Sequence, residues 1–142
     1  MPHVTVLFPF LPTSELDDDV RRHLAAIAGT LEPFDISFRR VRRFDDGVVW
    51  IEPDPAAPFR RLTTSVTAAW PDHPPYGGLF DEVIPHLTVV EGDDDAPTLH
   101  AIEAAAASHL PFTAGGDRLE LWRQDQAGTW RPHWRLRLGS RG

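Results

Sequence analysis

One pattern is written twice along this chain of 142 residues. His3-Val4-Thr5-Val6-Leu7-Phe8 and Pro85-His86-Leu87-Thr88-Val89-Val90 are short runs rich in β-branched and aromatic residues, the composition of a strand. With Pro2 before the first, each opens on Pro-His-x-Thr. An acidic turn follows each run, Asp17 to Asp19 in the first half and Asp93 to Asp95 in the second. In the first half, Val20, Leu24, Ile27 and Leu31 then recur at helical spacing, which predicts a helix over 14–31 that Pro33 ends. In the second, a helix is predicted over 97–110 and ended by Pro111. Pro33-Phe34 and Pro111-Phe112 each precede a strand pair: 34–44 with 48–51 around Asp46-Gly47, and 118–124 with 130–138 around Ala127-Gly128. A further helix over 56–70 and a Pro/Gly-rich loop over 71–78 lie between the halves. The two histidines are 83 residues apart, too far for a solenoid, so the repeat predicts two similar lobes related by a pseudo-two-fold axis. The expected architecture is α+β. It is a single domain over 1–142, with repeats at about 1–70 and 84–139. Each lobe is a small antiparallel sheet with helices on its outer side, and a central groove separates the two.

Composition removes alternatives. Hydrophobic residues at 42% and charged residues at 25% are ordinary for a globular chain, so disorder and fibrous repeats are not indicated. No apolar run approaches the roughly 20 residues that span a bilayer, and no basic segment leads into a cleavable hydrophobic stretch, so a cytoplasmic protein with no membrane partner is expected. The absence of cysteine excludes disulfides, thiol catalysis and thiolate metal sites. A net charge of -7 argues against broad, sequence-independent coating of nucleic acid but leaves a small phosphate-bearing ligand open.

Residues two apart on a strand point to the same side, so His3 and Thr5 share one face, as do His86 and Thr88, while Val4, Val6, Leu87 and Val89 point to the other. Such pairs suit transfer at a phosphodiester. A neutral imidazole takes a proton from the attacking oxygen while a protonated one gives a proton to the leaving oxygen, and imidazole, which ordinarily titrates near pH 6.5, supplies both forms at neutral pH. Threonine hydroxyls can hold the non-bridging oxygens in line, and no metal is needed. With 7 histidines and ten threonines in the chain, chance supplies roughly 0.5 His-x-Thr triplets, and requiring a preceding proline lowers that to roughly 0.05. Two such copies, each opening a predicted strand at the start of a repeat, favour function over solvated histidines.

Pro2-His3-Val4-Thr5-Val6-Leu7-Phe8-Pro9-Phe10 and Pro85-His86-Leu87-Thr88-Val89 resemble the paired signature of the two-histidine phosphoesterases, the RNA 2',5'-ligase-like and cyclic phosphodiesterase superfamily, and the likeness runs over nearly the whole chain. Pro74-Pro75-Tyr76-Gly77-Gly78 is similar to the bacterial branch. The resemblance implies that each His-x-Thr lies on a central strand of one lobe and that the quartet handles 2',5'-linked or 2',3'-cyclic phosphodiesters of RNA ends or nucleotides. It makes His3 and His86 acid and base, with Thr5 and Thr88 as phosphate holders. It implies no cofactor. Members commonly carry a strand and helix before the first motif, whereas His3 stands near the beginning of this sequence. The alternative from another class is a binding module that holds a nucleotide or RNA end without turnover, and a third is a metal-dependent hydrolase. A monomer is expected.

Other candidates carry less. Pro132-His133-Trp134-Arg135 lacks the threonine and reads as surface or cleft rim, and His23, His73, His100 and His109 read as solvated helix or loop residues. The acidic triplets are better explained as helix amino-terminal turns than as cation sites. Among Arg39, Arg40, Arg42 and Arg43, the pair Arg40 and Arg42 would share one strand face and Arg39 and Arg43 the other, and Arg42 is the candidate guide for a phosphate. Tyr76, Phe8 and Phe10 are candidate base-stacking residues, with core packing the commoner role of such aromatics.

Overall fold

In the computed structural model, residues 3–78, 84–90 and 95–139 are described. Pro2, Asp93 and Asp94 of the motifs above lie outside them. The fold is α+β. Among the described residues the elements run α1 (Asp18–Gly29), β1 (Phe34–Arg43), β2 (Val49–Asp54), α2 (Ala57–Ala69), β3 (Leu87–Val90), α3 (Ala96–Ala107), β4 (Phe112–Gly116), β5 (Arg118–Gln124) and β6 (Trp130–Arg137). No helix among them is long and apolar enough to cross a membrane.

The chain divides into two compact units, each assembled from separate segments. The first takes Met1–Val6, Asp35–Arg60 and Glu82–Ala114; the second takes Leu7–Phe34, Arg61–Asp81 and Gly115–Gly142. Each sequence repeat contributes to both.

The first unit is organised by a four-stranded sheet of order β3-β2-β1-β4. β1 and β2 form the antiparallel hairpin expected around Asp46-Gly47, where Gly47 has φ 94° and its N–H donates to the Phe44 carbonyl at 2.9 Å. That positive φ suits glycine, which has no Cβ to clash. Asp46 Oδ1 accepts from Val48 N at 3.1 Å, closing the turn. β3 pairs with the other edge of β2, with Val49 opposite Val90, Trp50 opposite Thr88 and Ile51 opposite Leu87. α3 lies against β2. It starts where Asp95 Oδ1 accepts from Thr98 N at 2.8 Å and buries Leu99. The Thr98 side chain first, and its backbone N–H second, hold the Asp95 carboxyl pKa below the ordinary aspartate value. The sequence expectation that the acidic turn begins a helix holds at Asp95.

The second unit packs α1 against β6 of a two-stranded antiparallel sheet, β5-β6. The acidic turn here resolves into two parts. Asp17 caps α1 by accepting from Val20 N at 3.0 Å, and Asp19 pairs with Arg22 on the exposed side. The helix is shorter than the predicted 14–31 because the cap at Asp17 fixes its start, and Thr13–Glu15 forms a separate 3₁₀ turn. Val20, Leu24, Ile27 and Ala28 make its buried stripe, with Leu121, Leu136 and Leu138 buried in the hairpin that it covers. Each of these valine, leucine and isoleucine side chains contributes roughly 1.5–3 kcal/mol of burial.

Candidate active site

The first His-x-Thr segment does not form the full strand predicted over His3–Phe8. One residue, Val4, makes an antiparallel bridge, and its partner is Leu87 at the start of β3. Pro9 has no N–H to extend a ladder, and bends follow at Val6 and Phe8. The bridge brings the first His-x-Thr segment alongside the second, and an antiparallel register continued one residue either way from it would put His3 across from Thr88 and Thr5 across from His86. Leu87 is buried and Val4 half-buried, whereas His3 and Thr88 are exposed and Thr5 and His86 half-buried. Residues directly opposite have Cβ atoms about 4.5–5.5 Å apart and diagonal neighbours about 7–8 Å. In that register the two imidazoles would occupy one diagonal of a small square and the two hydroxyls the other.

His86 is fixed on two sides. Its Nδ1 lies 2.8 Å from the Ile84 carbonyl, which can only accept, so Nδ1 carries hydrogen and Nε2 is the atom left to exchange a proton. Its ring meets the edge of Phe44 at 5.2 Å and Trp50 at 6.0 Å. Phe44 stacks on Trp50 at 4.6 Å, and Trp50 is 4% exposed.

Pairing carries the row across the sheet. Trp50 is opposite both Thr88 and Arg42, so Arg42, Trp50 and Thr88 share one face, with Arg42 two strands, or roughly 10 Å, from Thr88. Arg42 Nε lies 3.4 Å from Glu52 Oε2. Arg40 and Arg42 fall on one side, as their spacing predicts. In the other basic pair, Arg39 stands where the β1–β2 register shifts between Phe38 and Arg40, and Arg43 is paired with Glu103 of α3. Trp50 was not legible as a site neighbour, although Arg42 and Trp50 stand equally far from Asp46 at the hairpin turn, a symmetry that could have found it.

Tyr76 and Phe10 belong to the second unit. Phe10 meets the Trp70 ring edge-on at 5.1 Å, and Trp70 also contacts the His23 ring at 4.8 Å. Tyr76 has φ 52°, an uncommon left-handed backbone for a residue with a Cβ, and its N–H donates to the Phe8 carbonyl at 2.6 Å. His133 is half-buried and stacks on Trp134 at 4.7 Å, and with Pro132 and Arg135 it lines a shallow depression. Burial first, then the charges of Arg123 and Arg21, depress its pKa below the ordinary histidine value. The folded chain therefore takes up this proton less readily than the unfolded chain, so the contribution of His133 to stability is fully present above about pH 6.5 and is lost below it, as pH falls through the lower folded pKa. Arg123→Ala should move the His133 titration, followed by imidazole NMR, towards higher pH. An unmoved titration would exclude that charge as a cause.

A family model described as the 2'-5' RNA ligase superfamily matches residues 1–128. A Bacillus cereus (strain G9842) protein named "Putative phosphoesterase" is 26% identical over 145 residues, covering 97% of this chain and 79% of that protein. The crystal structure of TT0787 of Thermus thermophilus superposes with a TM-score of 0.67 at 18% identity, covering 99% of this chain and 80% of that one. A second crystal structure, titled as a phosphoesterase, gives 0.56 at 17% identity over 96% and 77%.

Proposed function

The chain belongs to the 2'-5' RNA ligase superfamily, and from that membership we propose a metal-independent phosphodiesterase or RNA 2',5'-ligase-like enzyme acting on 2',3'-cyclic or 2',5'-linked phosphodiesters of RNA ends or nucleotides. The B. cereus relative's name supports phosphoester chemistry. The observation that supports the proposal is the Val4–Leu87 bridge, which brings the first His-x-Thr segment alongside the second.

In opening a cyclic phosphate, one imidazole accepts a proton from water as the water oxygen bonds to phosphorus. The bond from phosphorus to one ribose oxygen breaks, and the second imidazole gives that oxygen its proton, leaving a phosphomonoester. His86 works through Nε2, because Nδ1 is held by Ile84. Thr5 and Thr88 donate hydroxyl hydrogen bonds to the non-bridging oxygens, and Arg42 draws anionic ligands to the row. Ligation is the same exchange with an RNA hydroxyl in place of water: the hydroxyl gives its proton to one imidazole as its oxygen bonds to phosphorus, and the departing ribose oxygen takes a proton from the other. Tyr76 and Phe10 are offered as base contacts.

The test is product analysis with 2',3'-cyclic mononucleotides and with short RNAs ending in a 2',3'-cyclic phosphate, with and without a chelator. Monoester should form at the same rate in both. Loss to the chelator with recovery on adding a divalent ion would make the protein a metal-dependent hydrolase. Saturable binding without product would make it a binding module.

A further inference from the structure

In a chain of net charge -7, the β5–β6 hairpin stands apart: from Arg118 to Arg137 it carries five arginines against two carboxylates, Glu120 and Asp125. Its strands pair Leu119 with Leu136 and Leu121 with Trp134, and these make the face that α1 covers. The alternate positions make the outer face. There Arg118 is opposite Arg137, Glu120 opposite Arg135, Trp122 opposite Pro132 and Gln124 opposite Trp130.

Two features of the hairpin are costly for a free protein. Like charges directly opposite one another across strands destabilise a sheet, and the hairpin holds two such pairs, Arg118 with Arg137 and Arg123 with Arg131. Glu120 engages Arg118 at 2.8 Å and Arg135 at 3.3 Å, and Asp125 engages Arg131 at 2.8 Å, which leaves Arg123 and Arg137 without an ion pair among the described residues. Large aromatic rings also face solvent. Trp122 is 37% exposed and Trp130 48%, and Phe8, 47% exposed, meets Trp130 edge-on at 6.0 Å. Trp122 is oriented by its indole N–H, which donates to Glu120 at 3.0 Å.

An anion placed on the outer face relieves the paired arginines there, and planar groups placed on the indoles cover the exposed rings. A ligand that supplies both, at short intervals along a line, is a nucleic-acid strand whose bases are unpaired. We propose that the outer face of the β5–β6 hairpin docks single-stranded RNA, with phosphates on Arg118, Arg135 and Arg137 and bases stacked on Trp122 and Trp130. The choice of RNA rests on the phosphodiesterase reading above; the charge and stacking argument does not. Burial alone would raise the Glu120 pKa, but the Trp122 bond and the flanking Arg118 and Arg135 outweigh it and hold the pKa below the ordinary value, so the network that orients Trp122 stays charged at neutral pH.

Fluorescence anisotropy with a short, end-labelled single-stranded RNA at low salt tests this. Wild-type protein should bind, and duplex RNA of the same sequence should bind at least tenfold more weakly. Trp122→Ala and Trp130→Ala should each weaken binding about tenfold, with Trp130→Phe restoring most of the loss. Arg137→Glu, an exposed change that leaves the core untouched, should weaken binding and lower the slope of log affinity against log salt by about 0.7. No binding by wild type, equal binding of duplex, or unchanged affinity in Arg137→Glu overturns the proposal. The His3→Ala, His86→Ala double variant should bind the RNA as wild type does, which separates the two readings. Turnover of cyclic mononucleotides alongside hairpin variants that bind RNA normally removes the docking surface alone. RNA binding lost on hairpin substitution, in a protein with no turnover, removes the enzymatic reading alone.

Discussion

Replacing His86 with alanine is expected to lower the rate of 2',3'-cyclic phosphate opening by about 10²- to 10⁴-fold, the usual contribution of one positioned acid or base. His3→Ala should give a loss of the same order. The double variant should be scarcely worse than either single one, because the imidazoles act in one proton exchange and removing either disables it. Substrate affinity should change little, since Thr5, Thr88 and Arg42 remain. Asn at position 86 can still donate towards the Ile84 carbonyl but has no group that titrates near neutrality, so His86→Asn separates positioning from proton transfer. If His86→Asn kept wild-type turnover, proton exchange at Nε2 would be excluded. The pH profile of kcat should be bell-shaped in wild type, because one ring must be neutral while the other is protonated, and each single variant should lose one limb.

The second large effect concerns stability. Trp50→Ala removes a side chain that is 4% exposed, stacked on Phe44 and in contact with His86, and should cost about 3–5 kcal/mol in denaturant unfolding. That is a large part of the roughly 5–15 kcal/mol typical of a domain. Trp50→Phe should cost far less. The buried indole N–H meets no acceptor among the described residues, and an unsatisfied buried donor is penalised by about 1–3 kcal/mol, so removing it offsets much of the lost contact. The variants should also separate in activity, because the phenyl ring keeps a wall for His86 and alanine does not. Equal unfolding midpoints for Trp50→Ala and wild type would show that this ring does not anchor the sheet.

Local chemistry was the readable part of the fold. Asp17 and Asp95 begin helices where their acidic turns announced them, Asp46-Gly47 closes the hairpin, and α2 ends at Ala69, one residue from the expected Trp70. Long-range pairing was harder to read. β4, Phe112-Thr113-Ala114-Gly115-Gly116, alternates weakly and is almost wholly exposed, so nothing local marks it as a strand; its neighbour in the sheet is β1, far away in sequence. The irregular register near Arg39 is equally silent, and with it the diversion of Arg43 to α3. For the candidate site, spacing two apart speaks only to side chains within one segment. That Val4 would bridge Leu87, and that Trp50 would lie beside the second motif, depends on contacts that no window of sequence contains.

The route of the backbone has a practical consequence. The chain passes from one compact unit to the other after Val6, Phe34, Arg60, Asp81 and Ala114, so neither unit is a continuous stretch that a truncated gene could express. A cut anywhere in the middle leaves two fragments that each hold incomplete parts of both, and only their reassociation could restore either.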